Sequence, residues 1–287
     1  MKINNRQFTK IKNLVYKHTG IQLTEEKHIL IENRLMKLFK KELFYTDTVE
    51  KFLSEVESKY LESFINIFTT NKTNFFREIQ HFNYMFEHII EDVYSKNKHM
   101  KIYCSASSTG EEVWSILFTY LSKLNSMGIT NGSNSLELLA SDIDTKILSR
   151  ARKGEYLCKD LNKQSLPAWF KKDEFFDLPL GNCRASSSLY DEYHPLKVKH
   201  NLLRVPTLKQ MNLMDTQYTI APDNYFDIVF CRNVLIYFSK EDQNKILKKL
   251  LKKVKIGGYL MLGHSESPLD IENQLEKKGF NIFRRLK

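Results

Sequence analysis

From about residue 98 onward, short apolar runs alternate with longer stretches of helical periodicity. No other feature narrows the fold as much. The runs are KIYCSA (101–106), LELLASDID (136–144), YFDIVFCRN (225–233) and YLMLGHS (259–265). Each is short, apolar and bounded by polar or turn-forming residues, as strands are. Between them, Glu111–Leu124 places Val113, Ile116, Leu117, Tyr120 and Leu121 on one helical face. A turn-rich loop, GITNGSNS (128–135), follows, and further helices are expected from about Thr145 to Lys153 and from about Ser239 to Val254. Gly257 and Gly258 are expected to close the last of these, and FNIFRRL (280–286) to end the sheet. Strands joined by helical crossovers form a mainly parallel sheet covered on both faces, so the expected class is α/β.

Residues 1–94 carry the helical period alone. Phe8, Ile11, Leu14 and Val15 mark a first helix, with Gly20 as its stop. Thr24 is a candidate N-cap, with Glu25 and Glu26 suited to the first turn of the next. That helix buries Ile31, Leu35 and Leu38 and carries an adjacent basic stripe of Lys27, Arg34, Lys37 and Lys41. Val49, Phe52, Leu53 and Val56 mark another helix, as do Tyr60, Phe64, Ile65 and Phe68. Residues 155–205 break the strand–helix rhythm. Helix-like LNKQSLPAWF and possible antiparallel strands in YHPLKVKHNLL read as an insertion on the sheet domain.

Composition excludes several functions. No apolar run reaches the ~18 residues of a membrane-spanning helix, and MKINNRQFTKIKNL lacks the apolar core of a signal peptide. A cytoplasmic protein without membrane insertion is expected. The net charge of +10 suits an acidic protein partner at least as well as nucleic acid. No basic block is interleaved with aromatics, and no DPPY- or NPPF-like tetrapeptide is present to grip a base, so no nucleic-acid partner is expected. None of the four cysteines forms a CxxC pair and no histidine cluster accompanies them, so no metal is expected. Cys104 and Cys231 read as buried thiols.

In a doubly wound sheet, ligands bind beyond the carboxyl ends of the strands. Four such ends are polar here. SASSTGEE (105–112) offers Gly110 and a helix N-terminus, yet it is not GxGxxG. Its two glutamates suit a cationic ligand such as S-adenosylmethionine, with its sulfonium and ammonium groups. Glu111 is the candidate near the amino-acid or ribose end, although both glutamates equally complement the helix dipole. Asp142 is placed to accept from ribose hydroxyls, and either it or Asp144 to cap the following helix. In QMNLMD (210–215), Asn212 can read an adenine edge and Leu213 pack on its face. In CRNVLIYF (231–238), Arg232 and Asn233 follow an apolar strand and Tyr237 can face the cleft. Upstream, TTNKTNFFREIQHF (69–82) sets Asn71, Thr73 and Arg77 among Phe75, Phe76 and Phe82. By composition alone this is a linker helix with a packed phenylalanine pair and a solvated arginine.

Together these stretches resemble the CheR-type methyltransferases, which methylate glutamates on bacterial chemotaxis receptors. TTNKTNFFREIQHF, SASSTGEE, LLASDID, QMNL, FDIVFCRNVLIYF and GGYLMLGHSES match in the family's order across nearly the whole chain. The resemblance implies a Rossmann-like class I methyltransferase domain at 95–287, with a small inserted β-subdomain at about 160–200. It also implies an all-helical N-terminal domain at 1–70 and a linker helix at 71–94 that contributes to the cofactor site. The implied cofactor is S-adenosylmethionine and the product S-adenosylhomocysteine. The implied activity is that of a protein-glutamate O-methyltransferase acting on the cytoplasmic domains of methyl-accepting chemotaxis receptors. Cofactor contacts carry over to Asn71, Thr73, Arg77, Glu111, Asp142, Asn212, Leu213, Arg232 and Asn233. Arg77 and Tyr237 match residues near the methyl-transfer point. Lys27, Arg34, Lys37 and Lys41 are candidates to face acidic receptor helices, and equally a solvated face. Val113-Trp114 departs from the family's usual Pro-Tyr, and residues 160–200 match least. Two other readings are a CheR-like carboxyl methyltransferase of another signalling system and a non-catalytic S-adenosylmethionine-binding adaptor. The intact Arg77 and Tyr237 speak against the adaptor.

Overall fold

The computed structural model describes residues 2–41, 49–161, 165–177 and 194–287. Four helices open the chain: α1 (Asn5–Thr19), α2 (His28–Lys41), α3 (Val49–Glu55) and α4 (Leu61–Phe68). Asn4 and Gln7 form a reciprocal capping box at the start of α1, and Gly20, at φ 72°, ends it in the left-handed conformation that glycine adopts without strain. Thr24 does hold an N-cap position, before the 3₁₀ turn Glu25–Lys27, but its side chain makes no capping hydrogen bond. Phe8, Ile11, Val15, Ile31, Leu35, Phe52, Phe64 and Phe68 form a separate core for these helices.

α5 (Gln80–Tyr84) runs through a π-helical turn, Met85–Ile89, into α6 (Ile90–Asn97). The sheet domain follows with β1 (Met100–Ser105), α7 (Glu111–Ser126), β2 (Leu136–Asp142), α8 (Thr145–Lys153) and β3 (Glu155–Leu157). Then come β4 (Phe176–Asp177), β5 (Pro195–Val198), β6 (Pro206–Gln210) and β7 (Phe226–Cys231). The helix Lys240–Lys253 leads to β8 (Val254–Leu262), β9 (Leu275–Gly279) and β10 (Ile282–Arg285).

The main sheet has the order β6-β2-β1-β7-β8-β10-β9. β6, β2, β1, β7 and β8 are parallel. β10 is antiparallel to β8 and to β9. The 280–286 strand therefore lies inside the sheet, and β9 forms the edge. Alternation along the strands feeds two cores. Ile102, Cys104, Ile228 and Phe230 join α7 on one face. Tyr103, Val229 and Cys231 join the helix Lys240–Lys253 on the other. Cys104 and Cys231 are buried free thiols. The chain leaves β1 toward β2 and β6, then returns on its other side with β7. This reversal opens a crevice beyond Ser105 and Cys231, where an open α/β sheet binds its ligands.

Three sequence expectations are resolved here: two change and the third holds. Gly257 and Gly258 do not close a helix. They lie inside β8, where the register against β7 shifts between Phe226 and Ile228. Gly257 has φ 78°, and a Cβ on Gly258 would sit 2.9 Å from the Asp227 carbonyl oxygen. Glycine marks an irregularity in a strand as readily as a helix end. Second, Pro167–Phe170 is a turn rather than a helix. It is held by Trp169 and Phe170 packing against Phe76. Third, β5 lies between β3 and β4 in a small antiparallel sheet, as YHPLKVKHNLL suggests. The rest of the inserted subdomain, with Cys183, lies outside the described residues.

Candidate active site

The segment that links the two domains is not a helix at its start. From Thr69 to Ile79 it runs as an irregular strap, and helix begins only at Gln80. Phe76 and Glu78 take left-handed φ values of 50° and 57°. Such non-glycine residues persist only where the surroundings fix them. Phe75 packs edge-on to Tyr156 and Phe176, and Phe76 edge-on to Phe82. Each aromatic pair contributes about 0.5–1.5 kcal/mol beyond area burial. The Phe76 N–H donates to Ser115 Oγ at 2.9 Å. The phenylalanines are packing, and they press the polar residues of the strap over the crevice.

The strap is also tied to the sheet through Asp144. This residue caps α8, accepting from the N–H groups of Lys146 and Ile147 at 2.9 and 3.1 Å. Its other oxygen accepts from Thr69 Oγ1 at 2.8 Å and Asn71 Nδ2 at 3.1 Å. The helix cap is therefore Asp144 and not Asp142. Asp142 accepts from the N–H of Ser108 at 2.8 Å and of Asp144 at 3.0 Å, and it lines the cleft. The Ser108 contact fixes the loop after β1, where Gly110 has φ 96°. A Cβ there would lie 2.8 Å from that of Ala151, so glycine is required for close approach to α8.

The cleft encloses about 840 Å³, including its open mouth. Asn71, Thr73 and Arg77 line it from the strap, and Thr19 and Ile21 from the N-terminal domain. Asp142, Leu213, Arg232, Asn233 and Tyr237 line it from the strand ends. Asn212 lines it too, but its side-chain amide donates to the His18 carbonyl at 2.8 Å and accepts from the Met214 N–H at 2.9 Å. That side chain ties a strand-end loop to the N-terminal domain, which engages one amide N–H and one lone pair of its oxygen. Glu111 is not among the lining residues. It is buried and accepts from Thr109 Oγ1, and burial raises its pKa. Glu112, the next residue around α7, lines the cleft instead. Consecutive helical positions point about 100° apart, so only one of the two can face the ligand.

Sequence reasoning missed the ionic frame behind the cleft. Arg232, with a side chain 0% exposed, donates to Glu112 at 2.6 Å and Glu78 at 3.1 Å, and to the Arg77 carbonyl. Glu78 also accepts from Asn233 Nδ2 at 3.0 Å and the His264 N–H at 3.3 Å. Burial alone would raise the Glu78 pKa, but the Arg232 charge and these hydrogen bonds outweigh it and hold it at about 2. Burial raises Glu112 despite Arg232. Glu266 accepts from the N–H groups of Asn233, Val234, Leu235 and Gly263 at 2.6–2.9 Å, fixing the turn that carries Asn233 and Tyr237. The signal available in the sequence was position alone: Glu78 adjoins Arg77, and Glu266 follows a strand end.

The basic stripe is not uniform. Arg34 is half-buried; it donates to the Phe68 carbonyl at 2.8 Å and to Thr70 Oγ1 at 3.2 Å, and burial lowers its pKa. It closes the end of α4 beside the strap. Lys27 is half-buried, Lys37 is exposed, and the Lys41 side chain lies outside the described residues.

Burial and the Arg232 charge push His81 down to about 4. The unfolded chain protonates it near the usual 6.5, so between these values the unfolded state holds more protons. Stability should therefore fall as pH drops from about 6.5 to about 4. Glu78 adds a lower window: its stabilisation is complete above 4.5 and is lost as pH falls through about 2. Urea midpoints measured across pH in chelated buffer check this, and His81→Gln should flatten the upper window.

The cleft fits S-adenosylmethionine. Ser107 Oγ and Arg232 Nε are buried there without a hydrogen-bond partner among the described residues. They offer donors to a carboxylate or hydroxyl, while Glu112 and Asp142 suit ammonium and ribose groups and Met211, Leu213 and Phe238 an apolar ring. A polar, partly apolar cleft at the switch point of a doubly wound sheet is the arrangement of a Rossmann-like S-adenosylmethionine-dependent methyltransferase. The family model described as "CheR methyltransferase, SAM binding domain" matches residues 71–282. The chain belongs to the CheR methyltransferase family. The chemotaxis protein methyltransferase of Salmonella typhimurium is 31% identical over 98% of this chain and 90% of its own length. That of Escherichia coli is 31% identical over 98% and 91%, and that of Borreliella burgdorferi 29% identical over 92% and 89%.

Proposed function

We propose that this chain transfers the methyl group of S-adenosylmethionine to glutamate γ-carboxylates of methyl-accepting chemotaxis receptors, leaving glutamate methyl esters and S-adenosylhomocysteine. The observation that carries the proposal is the gathering of Arg77 and Tyr237, from opposite sides of the domain seam, around one cleft that also holds Asp142, Arg232 and Asn233. Bound S-adenosylmethionine supplies an electrophilic methyl group. A glutamate with a pKa of ~4.3 is already ionised at neutral pH, so the protein need not supply a strong base. Arg77 and Tyr237 orient the incoming carboxylate by charge-assisted hydrogen bonds. The strap, anchored by its buried phenylalanines, covers the crevice and helps hold the nucleophile in line. The test is transfer from tritiated S-adenosylmethionine to receptor cytoplasmic domains. Base-labile label on receptor glutamates supports the proposal; label on another protein, or none, overturns it.

Support for receptor docking comes from α2. Leu30, Asn33 and Lys37 share one helical face and all are exposed. Ile29, beside them, is 71% exposed. A cation next to exposed aliphatic groups suits an amphipathic acidic helix. Lys37→Glu should raise KM for receptor about 5–10-fold, the scale of ~1 kcal/mol for one lost rim pair with added repulsion, and leave cofactor affinity unchanged. Initial rates at varied receptor concentration check it.

A further inference from the structure

Glu78, His81 and His264 bring one carboxylate oxygen and two imidazole nitrogens within 4.8 Å of one another. Two belong to the end of the strap and its helix, the third to the loop after β8. His81 is wholly buried, and its Nε2 is hydrogen-bonded to the carbonyl oxygen of Phe280. A carbonyl only accepts, so Nε2 carries the hydrogen and Nδ1 of the neutral ring presents a lone pair. That Nδ1 is buried and has no hydrogen-bond partner among the described residues. It faces Glu78 Oε2 at 3.8 Å. Two acceptors thus confront each other without a donor between them, an arrangement that costs about 1–3 kcal/mol while it stays unsatisfied.

A cation removes that cost. A histidine whose second nitrogen donates to a backbone carbonyl is the arrangement that orients metal-ligating imidazoles. Two histidines and one carboxylate form a zinc-type donor set with a fourth position open. Imidazole selects zinc-like ions over magnesium or calcium. The exposed His264 ring leaves that position open to solvent. Arg232 and Asn233, which donate to Glu78, serve as outer partners that hold the carboxylate in place. The Arg232 guanidinium, paired with Glu78, opposes a cation here, so uptake rests on the three ligand bonds rather than on the surrounding charge.

We propose that Glu78, His81 and His264 form a binding site for a zinc-class divalent ion that staples the strap to the sheet behind the methyl-transfer cleft. The ion takes no part in the methyl transfer itself. The experiment is titration of chelator-treated full-length protein with zinc chloride, followed by calorimetry and thermal unfolding, in the wild type and in His264→Ala. The substituted ring is exposed, so the fold is not at risk, and circular dichroism verifies it. One zinc per chain, a raised Tm, and affinity weakened in His264→Ala by more than the ~10–100-fold that loss of an outer partner costs support the site. Absence of stoichiometric uptake by the wild type, or equal uptake by the variant, overturns it. Neither readout depends on methyl transfer, so the result stands apart from the receptor assay.

Discussion

Arg232→Met should destabilise the protein by about 3–5 kcal/mol, the range for breaking a buried ion pair by removing one partner. The side chain is fully buried and bridges Glu112 and Glu78, and its guanidinium lies 5.4 Å from the Phe82 ring centroid. Methionine keeps much of the volume but leaves two carboxylates facing each other without their shared cation. One of them must then take up a proton, as coupled carboxylates do. The strap also loses its tether, because Arg232 donates to the Arg77 carbonyl as well. Urea denaturation at neutral pH reads the effect. Adding Glu112→Gln to the variant should restore part of the loss, since it removes one orphaned charge. A loss below about 1 kcal/mol, the scale of an exposed pair, would mean that water already screens this frame.

The sheet was legible because its signal is local. Strands 101–106 and 136–144 and the helix after Asp144 follow from runs of a few adjacent residues, and the structure returns them nearly unchanged. Gly257 and Gly258 were misread because a helix end and a strand irregularity call for the same residue. The strap was misread for a different reason. Thr69–Ile79 holds no regular structure, and its conformation comes from partners far along the chain, Asp144, Ser115 and Arg232. The cleft residues were legible only as a set, through the family resemblance, and the resemblance does not say what a side chain touches. Glu111 and Glu112 are neighbours of one type, and only the rotation of α7 separates them. Arg34 looked like surface charge, yet it is spent on the Phe68 carbonyl. Glu78, His81 and His264 carry no common spacing, since the last is brought to the others by the end of β8.

Arg77→Ala should lower kcat about 10²–10³-fold, the usual effect of removing one preorganised donor from a site of charge development. The guanidinium already donates to the Lys72 carbonyl at 3.0 Å, which curls the strap and leaves further N–H groups for a carboxylate. In the proposed reaction its job is positioning, so its grip must be limited. A tight ion pair with the incoming glutamate would lower the nucleophile's basicity and oppose the transfer. Arg77→Lys should therefore recover only part of the rate, because an ammonium restores charge without the planar fork that fixes a carboxylate in line. Tyr237→Phe should cost less, about 10–100-fold, the worth of one hydrogen bond to a charged group. Steady-state transfer of tritiated methyl gives the rates. Calorimetric binding of S-adenosylhomocysteine separates cofactor affinity from chemistry, and for Arg77→Ala it should change far less than kcat. If both fall together, Arg77 belongs to the cofactor cradle with Asn71 and Thr73, and Tyr237 is left as the only side chain proposed to orient the glutamate.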